Sequence, residues 1–389
     1  MREGFVRASD IVAAIVRKSA VASLSGRHAP VRQAASTEHL PTFSVVIPCY
    51  NHSRYLTECV ESVLSQSGVE VRVLIIDDAS TDITPQIGAA FAAEDPRVEF
   101  RRHDTNLGHI ATYNEGLSLA DGTYTVLLDA DDMLTPGSLE RAGNLMEAHP
   151  QVGLVYGRPL LFADDHPRPP STVAPVRWKI WPGKQWFEIR CRLIENCIRS
   201  PEVVMRTVLL RSVGGFREEL PHSGDLELWM RFALQSDIGY IAGPDQALYR
   251  DHTAGMHRAH FAGALADHEQ IDLAFKLLFR NCTDSIANYH RLAARVRSGL
   301  AARALRLACR ACDSESIDRA EALALEASAR DKGSSDIRVL LAKGRLRLRH
   351  KLTPQSWRVL QRVFNMITIV PRRWNHLQHR RMQRDGLLL

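Results

Sequence analysis

Three nearly unbroken apolar runs constrain this chain more than any other feature: Phe43-Ser-Val-Val-Ile-Pro48, Val71-Arg-Val-Leu-Ile-Ile76 and Tyr124-Thr-Val-Leu-Leu128. Each has the length of a strand and stays apolar at successive positions, which suits a strand covered on both faces. Between the first two, Leu56, Val60, Val63 and Leu64 recur at helical spacing. The unit is strand, helix, strand, hence a right-handed parallel crossover. A helix opened by Thr84-Pro85, a short strand near Val98 to Arg102 and a helix near Ile110 to Ala120 continue the alternation. The pattern predicts an α/β fold with a doubly wound, mostly parallel, Rossmann-like sheet. Later strands are expected at Val152 to Tyr156, Ile238 to Ile241 and Gln246 to Arg250. The Pro- and Trp-rich stretch from Pro167 to Trp186 reads as a loop or lid on the substrate side. Beyond about His260 the sequence is helical, with hairpins expected around 264–280, 285–312, 315–330 and 336–349 and no clear internal repeat.

The third apolar run ends in Asp129-Ala-Asp-Asp132. A parallel strand delivers its last residues to the carboxyl edge of the sheet, where α/β proteins bind ligands. Three carboxylates in four residues repel one another, and a hard divalent cation carrying phosphate oxygens relieves that repulsion. The competing reading is an acidic turn that caps the helix opened by Thr135-Pro136.

The chain has 389 residues, 45% of them hydrophobic, which fits one large domain with an accessory segment rather than a disordered chain. Its formal charge of +6 is uneven: residues 338–389 hold 13 Lys and Arg against one Asp, leaving about −6 for the rest. Seven cysteines, an odd and scattered set, argue against a disulfide framework and for a reducing compartment. The pair Cys309 and Cys312 has no second pair to complete a zinc site. No apolar stretch reaches the roughly 18 residues of a membrane span, and the first 24 residues lack a signal-peptide pattern. The expected location is the cytoplasm. The expected division is a basic amphipathic segment and linker over 1–41, an α/β domain over 42–260, a helical accessory region over 261–350 and a basic amphipathic tail over 351–389.

Ser44-Val-Val-Ile-Pro-Cys-Tyr-Asn51, Leu74-Ile-Ile-Asp-Asp-Ala-Ser-Thr-Asp82, Asn106-Leu-Gly108, the acidic cluster, Gly214-Gly-Phe216 and Gly224-Asp-Leu-Glu-Leu-Trp-Met-Arg231 occur in that order. In order and spacing, about two thirds of the chain resembles a family 2 glycosyltransferase of the GT-A fold, an inverting enzyme. The helical region lies outside the resemblance. The resemblance implies a nucleotide-sugar donor, bound by Pro48, Tyr50, Asn51, Asp77, Asp78, Asn106, Gly108, Asp129 and Asp132. Tyr50 can stack on the base and Asn51 can bond ribose or phosphate. Asp78 is preferred over Asp77 as acceptor of a uracil imide N–H, since an ionised carboxylate accepts and cannot donate. Glycine at 108 allows close backbone approach. The family's usual glycine after the Asp pair is Ala79 here, a departure that bears on the turn geometry.

The same resemblance places Asp129 on the nucleotide, Asp131 on a bridging Mg²⁺ or Mn²⁺, and Asp132 in an outer shell or on the sugar. His252 matches a position that meets the metal or diphosphate, the alternative being a structural histidine. Asp225 aligns with the general base of a single displacement. Glu227 is a second candidate, expected instead to be an exposed helix residue; Trp229 and Arg231 are expected to pack and pair, and His109 to face solvent. The implied reaction is metal-dependent transfer of a hexose or N-acetylhexosamine from UDP to a glycan or lipid-linked acceptor in cell-surface polysaccharide synthesis. The alternatives are a catalytically inactive sugar-binding scaffold and a nucleotidyltransferase; the latter normally shows a Gly-rich, basic loop where this chain has Cys49-Tyr-Asn-His-Ser53.

In the tail, Trp357, Leu360, Val363, Phe364, Ile367 and Val370 share one side of a helix opened by Thr353-Pro354, with arginines around and after them. A basic amphipathic helix suits peripheral attachment to the inner face of the cell membrane. Docking on the preceding helices is the alternative. No nucleic-acid recognition motif accompanies the basic pI, so a nucleic-acid partner is not expected.

Overall fold

The computed structural model describes residues 27–29, 40–164, 168–172, 174–252, 263–313, 324–325, 327–328, 382–383 and 385–387. The strands are β1 (Arg27–Ala29), β2 (Thr42–Cys49), β3 (Glu70–Asp77), β4 (Val98–Arg102), β5 (Tyr124–Leu127), β6 (Met133–Leu134), β7 (Val152–Ala163), β8 (Arg177–Trp181), β9 (Val204–Arg206) and β10 (Asp237–Asp251). They form one sheet in the order β1-β8-β10-β7-β9-β5-β2-β3-β4, with β6 on β10. The parallel pairings are β2 with β3 and β5, β3 with β4, and β7 with β10. The short strands β1, β6, β8 and β9 pair antiparallel. Because β9 runs against both β5 and β7, strands β2, β3, β4, β5, β7 and β10 all point the same way, and their carboxyl ends share one edge.

The helices are α1 (Leu56–Leu64), α2 (Thr84–Glu94), α3 (His109–Leu119), α4 (Ser138–Ala148), α5 (Gly183–Leu193), α6 (Thr207–Val213), α7 (Gly224–Gln235), α8 (Ala264–Asn281) and α9 (Tyr289–Asp313). The pleat explains the unbroken apolar runs. Val45, Ile47, Val73, Ile75, Val126 and Leu128 lie in a core with residues of α1 and α4. Val46, Leu74 and Leu127 lie in a second core with residues of α3, α5, α7, α8 and α9. The first strand is therefore buried at every position from Phe43 to Cys49.

Two expectations are corrected. Strands expected at Ile238 to Ile241 and Gln246 to Arg250 are one strand, β10, because the Gly243-Pro244 break is absorbed as register shifts against β7 rather than as a loop. The stretch from Pro167 to Trp186 is not a lid throughout: its end forms β8 and the start of α5, and Trp178, Trp181 and Trp186 are fully buried, their large apolar surfaces drawing the segment onto the sheet. Near the end of the tail, Leu387 is 1% exposed and Asp385 pairs with buried Lys179 at 2.7 Å. The hairpins expected at 315–330 and 336–349 and the amphipathic helix from Thr353 fall mostly or wholly outside the described residues. As far as Asp313 the helical region shares the core of the sheet domain through Ile271, Phe275, Leu278, Leu292, Val296 and Leu300. No helix among the described residues is long and apolar enough to cross a membrane.

The α5–α7 contact sets the position of the loop that follows α5. A Cβ on Gly183 would lie 2.0 Å from the Ser236 carbonyl oxygen and 2.2 Å from that of Ala233, both backbone atoms. Gly183→Ala is expected to destabilise the protein by about 1–3 kcal/mol, the range for overpacking. Urea denaturation measures it; an unchanged midpoint would mean that the two helices are not held this closely.

Candidate active site

The common strand direction gathers the candidate residues along one edge. Cys49 ends β2, Asp77 ends β3, Leu127 ends β5 just before Asp129, and Asp251 ends β10 just before His252. The acidic turn is closed by the Asp132 amide, which donates to the Asp129 carbonyl at 2.9 Å. One side chain holds that turn from outside. Arg250, 8% exposed, donates from Nε to the Asp131 carbonyl at 2.9 Å, from Nη1 to Asp164 at 2.9 Å and from Nη2 to Glu58 at 2.7 Å. Its own amide donates to Asp132 Oδ1 at 2.8 Å, and its guanidinium lies over the rings of Tyr55 and Phe162.

The three carboxyls of the turn have different partners. Asp131 Oδ2 lies 2.8 Å from His252 Nε2 and 3.9 Å from His52 Nε2. Burial opposes its ionisation, but the His252 hydrogen bond and the nearby histidines outweigh it and hold Asp131 below the usual carboxylate range. Burial and the Asp131 charge push Asp129 up to about 7, although Tyr113 donates to it at 2.9 Å. Burial, then Asp131 and Asp129, push Asp132 well upward. One carboxylate that favours its anionic form thus sits between two whose ionisation burial and like charge oppose. Burial keeps His52 below the ordinary histidine value despite Asp131.

At the ends of β2 and β3, the buried run closes with Pro48 and Cys49, and Tyr50 is 45% exposed at the edge. Asn51 adopts φ 57°, and its Oδ1 accepts from the Thr81 amide at 2.8 Å, joining the turns after β2 and β3. Ala79 takes φ 60°, the left-handed region that glycine favours. Asp77 is fully buried, accepting from the Ser80 amide and lying 3.3 Å from Arg102. Asp78 Oδ1 lies 2.8 Å from His103 Nδ1 and accepts from the Leu107 amide at 2.7 Å; Oδ2 accepts from the Gly108 amide at 2.9 Å. With about four lone-pair sites on a carboxylate, one position on Asp78 Oδ2 remains. Asn106 donates to the Asp78 carbonyl at 3.2 Å, and Gly108, at φ 85°, precedes α3.

Asp225 lies in the first turn of α7, where the helix dipole favours an anion. Its Oδ2 accepts from Asn196 Nδ2 at 2.6 Å and its Oδ1 from the Leu226 amide at 2.7 Å. Burial pushes it up to about 6. Glu227 is fully buried rather than exposed, paired with Arg217 at 2.8 Å and Arg231 at 2.9 Å, because Arg231 also donates to the carbonyls of Val213, Gly214 and Gly215 and so pins the Gly-Gly turn. Trp229 is buried beside Phe216. His109 does not simply face solvent; its Nε2 lies 2.8 Å from the Pro221 carbonyl.

The Glycosyl transferase family 2 model matches residues 44–208. The chain is 31% identical over 213 residues to the putative glycosyltransferase EpsE of Bacillus subtilis (strain 168), an alignment covering 54% of this chain and 72% of that protein. The chain belongs to glycosyltransferase family 2. It is also 36% identical over 104 residues to the succinoglycan biosynthesis protein ExoO of Rhizobium meliloti (strain 1021), covering 27% of this chain and 29% of that one. The crystal structure of S. aureus TarS 1-349 in complex with UDP-GlcNAc shares the fold, with TM-score 0.58 and 20% identity over 75% of this chain and 80% of that chain. The enzyme is a GT-A glycosyltransferase with a helical C-terminal region.

Sequence reasoning passed over several residues of this site. Asn196 is 29 positions from Asp225, in a loop without a motif. Arg199 lies over Tyr249 at 4.7 Å, and Glu202, pushed up to about 8 by burial, accepts from the Arg199 amide at 2.7 Å. His52 directly follows the first motif, and its place at the end of β2 was the available signal.

Arg250→Ala removes donors from the half-buried Asp131 carbonyl and Asp164 and from the exposed Glu58. It is expected to cost about 3 kcal/mol, the low end for breaking a buried pair because Glu58 is partly solvated, with Arg250→Lys falling between. Chemical denaturation checks this, and a loss below about 1 kcal/mol would show that the acidic turn keeps its shape unaided.

Proposed function

We propose that this glycosyltransferase moves a hexose or N-acetylhexosamine from UDP to a glycan or lipid-linked acceptor by a single inverting displacement, with Asp225 as general base. The observation that carries the reading is the gathering of Asp131, His252 and a half-buried Asp225 about the acidic turn, with Asp131 2.8 Å from His252 and Asp225 near enough to raise the Asp129 pKa. Polysaccharide building as the setting is supported by the resemblance to the succinoglycan biosynthesis protein.

Each residue has a physical task. Tyr50 stacks on the base from its exposed position, and Asp78 uses its remaining lone pair for the uracil imide. Asn51, Asn106 and Gly108 shape the turns beside the nucleotide, with Pro48 and Asp77 behind them. Asp129 and Asp132 meet the ribose and the sugar. Asp225, with a pKa near 6, is ionised at neutral pH yet basic enough to take the acceptor hydroxyl proton as that oxygen attacks the anomeric carbon.

A divalent cation fits the donor set: Asp131 is a hard anionic ligand, His252 stands 2.8 Å from it, and a cation would offset the burial and like charge that push Asp129 and Asp132 upward. Among the described residues no three His, Cys, Asp or Glu side chains are placed to hold an ion by themselves, so diphosphate oxygens would complete the shell. When bound, Mg²⁺ or Mn²⁺ supplies charge neutralisation of the departing diphosphate. We assign the basic stretch ahead of Asp385 to an anionic membrane surface, on the strength of its 13 Lys and Arg against one Asp over 338–389.

Asp131→Asn preserves shape and removes the anionic ligand. UDP affinity is expected to fall at least tenfold with Mn²⁺ and to change little without it, as read by calorimetry; equal affinities in both conditions would remove Asp131 from the ligand set. Asp225→Asn should lower turnover roughly 10²–10⁴-fold while leaving the UDP dissociation constant unchanged. Retained turnover would rule out Asp225 as base, and an inert wild type, tested for hydrolysis of UDP-sugars, would favour a sugar-binding scaffold.

A further inference from the structure

Asn196 and the end of the chain meet at one buried node. The Asn196 Nδ2 donates to Asp225 Oδ2 at 2.6 Å, and its Oδ1 accepts from the Ile198 amide at 3.1 Å, which fixes the orientation of the side-chain amide. The loop around it is short and packed: Ile194 takes φ 56° at the end of α5, and Cys197 and Ile198 are buried. The residues on either side of Asn196 are each bonded to a group that also bonds the chain's last described residues. Arg190 donates to the Glu195 carbonyl at 3.1 Å and to the Leu387 carbonyl at 2.6 Å. The Tyr156 hydroxyl accepts from Cys197 Sγ at 3.9 Å and Trp186 Nε1 at 3.4 Å, and donates to the Gly386 carbonyl.

We propose that Asn196 is the positioning residue for the Asp225 carboxylate and that the segment Asp385–Leu387 holds it there. The proposal rests on the assignment of Asp225 as base. Arg190 is fully buried, and among the described residues no carboxylate pairs with it; carbonyl oxygens and the Trp186 ring meet its charge. A buried cation that loses one such acceptor must find another. Without the Leu387 carbonyl the guanidinium turns away, and the Glu195 carbonyl, one residue from Asn196, moves with it. The segment is itself anchored by Asp385 on Lys179 at 2.7 Å and by Gly386, whose φ of 72° lets it press against the Tyr240 ring.

Orientation of a base by a neutral amide has a signature beyond stability. The charged and titratable groups around Asp225 are His222, Glu202 and Asp129. Burial raises the carboxyl to about 6, while Asn196 and the Leu226 amide oppose that rise by bonding the ionised form. Removing the Asn196 donor therefore raises the pKa further, and the acid limb of activity moves to higher pH.

The test uses the full chain labelled with ¹³C at aspartate Cγ, titrated with EDTA present, the Asp225 signal being identified by its loss in Asp225→Asn. Asn196→Ala is expected to raise the Asp225 midpoint by about one pH unit, the equivalent of one hydrogen bond to a charged group. Gly386→Val, whose Cβ would lie 2.4 Å from the Tyr240 ring, should shift it the same way from a distance. Tyr156→Phe, which deletes one hydroxyl, provides a milder variant if Gly386→Val fails to fold. The acid limb of UDP-N-acetylglucosamine hydrolysis should follow, with UDP affinity unchanged. Folded variants with lowered Tm and an unmoved Asp225 midpoint would overturn the proposal. Moved midpoints together with full hydrolysis by Asp225→Asn would instead overturn the base assignment and leave the positioning contact standing.

Discussion

The site depends on one guanidinium. Arg250 sits at the end of β10 and reaches the Asp131 carbonyl, Asp164 and Glu58, so it ties together the end of β5, the end of β7 and the start of α1. Its planar fork suits several acceptors at fixed angles, which a lysine ammonium does not reproduce. By holding the acidic turn through its backbone carbonyl, Arg250 leaves the Asp131 carboxylate free to meet His252. The cation supports the turn without neutralising the group that a metal would need.

The electrostatics follow from crowding in a dry place. Burial alone penalises every carboxylate on this edge, and the differences among them come from partners: histidines for Asp131, a tyrosine for Asp129, a backbone amide for Asp132, an amide side chain for Asp225. Asp131 thus favours its ionised form beside two carboxyls that are pushed upward. Asp225 comes from the first turn of α7 rather than from the acidic turn. Burial lifts it to about 6, and the hydrogen bond from its neutral asparagine partner offsets that rise only in part.

Some of this was open to reading in one dimension. Apolar runs at Phe43, Val71 and Tyr124 announced buried parallel strands because a strand covered on both faces has no reason to alternate. The acidic turn could be named because it follows an apolar run, and Asp225 and His252 because their motifs match the resembled family. The lid reading of the Trp-rich stretch failed because proline signals loops strongly, while burial of indole rings is decided by the neighbours they find. Glu227 was misread as exposed because a charged helix residue usually is, and only the fold brings Arg217 and Arg231 to it.

The sequence by itself determined the sheet, its direction and the edge where chemistry collects, since strand length, apolar pattern and strand ends are local properties of the chain. Only the tertiary structure decided which carboxylate is charged, which asparagine faces Asp225, and that Leu387 closes the shell behind the site. Those outcomes depend on contacts between residues such as Asn196 and Asp225, or Arg190 and Leu387, that lie 29 and 197 positions apart. Desolvation and hydrogen bonding act over a few ångströms of space, and spacing along the chain carries no record of them.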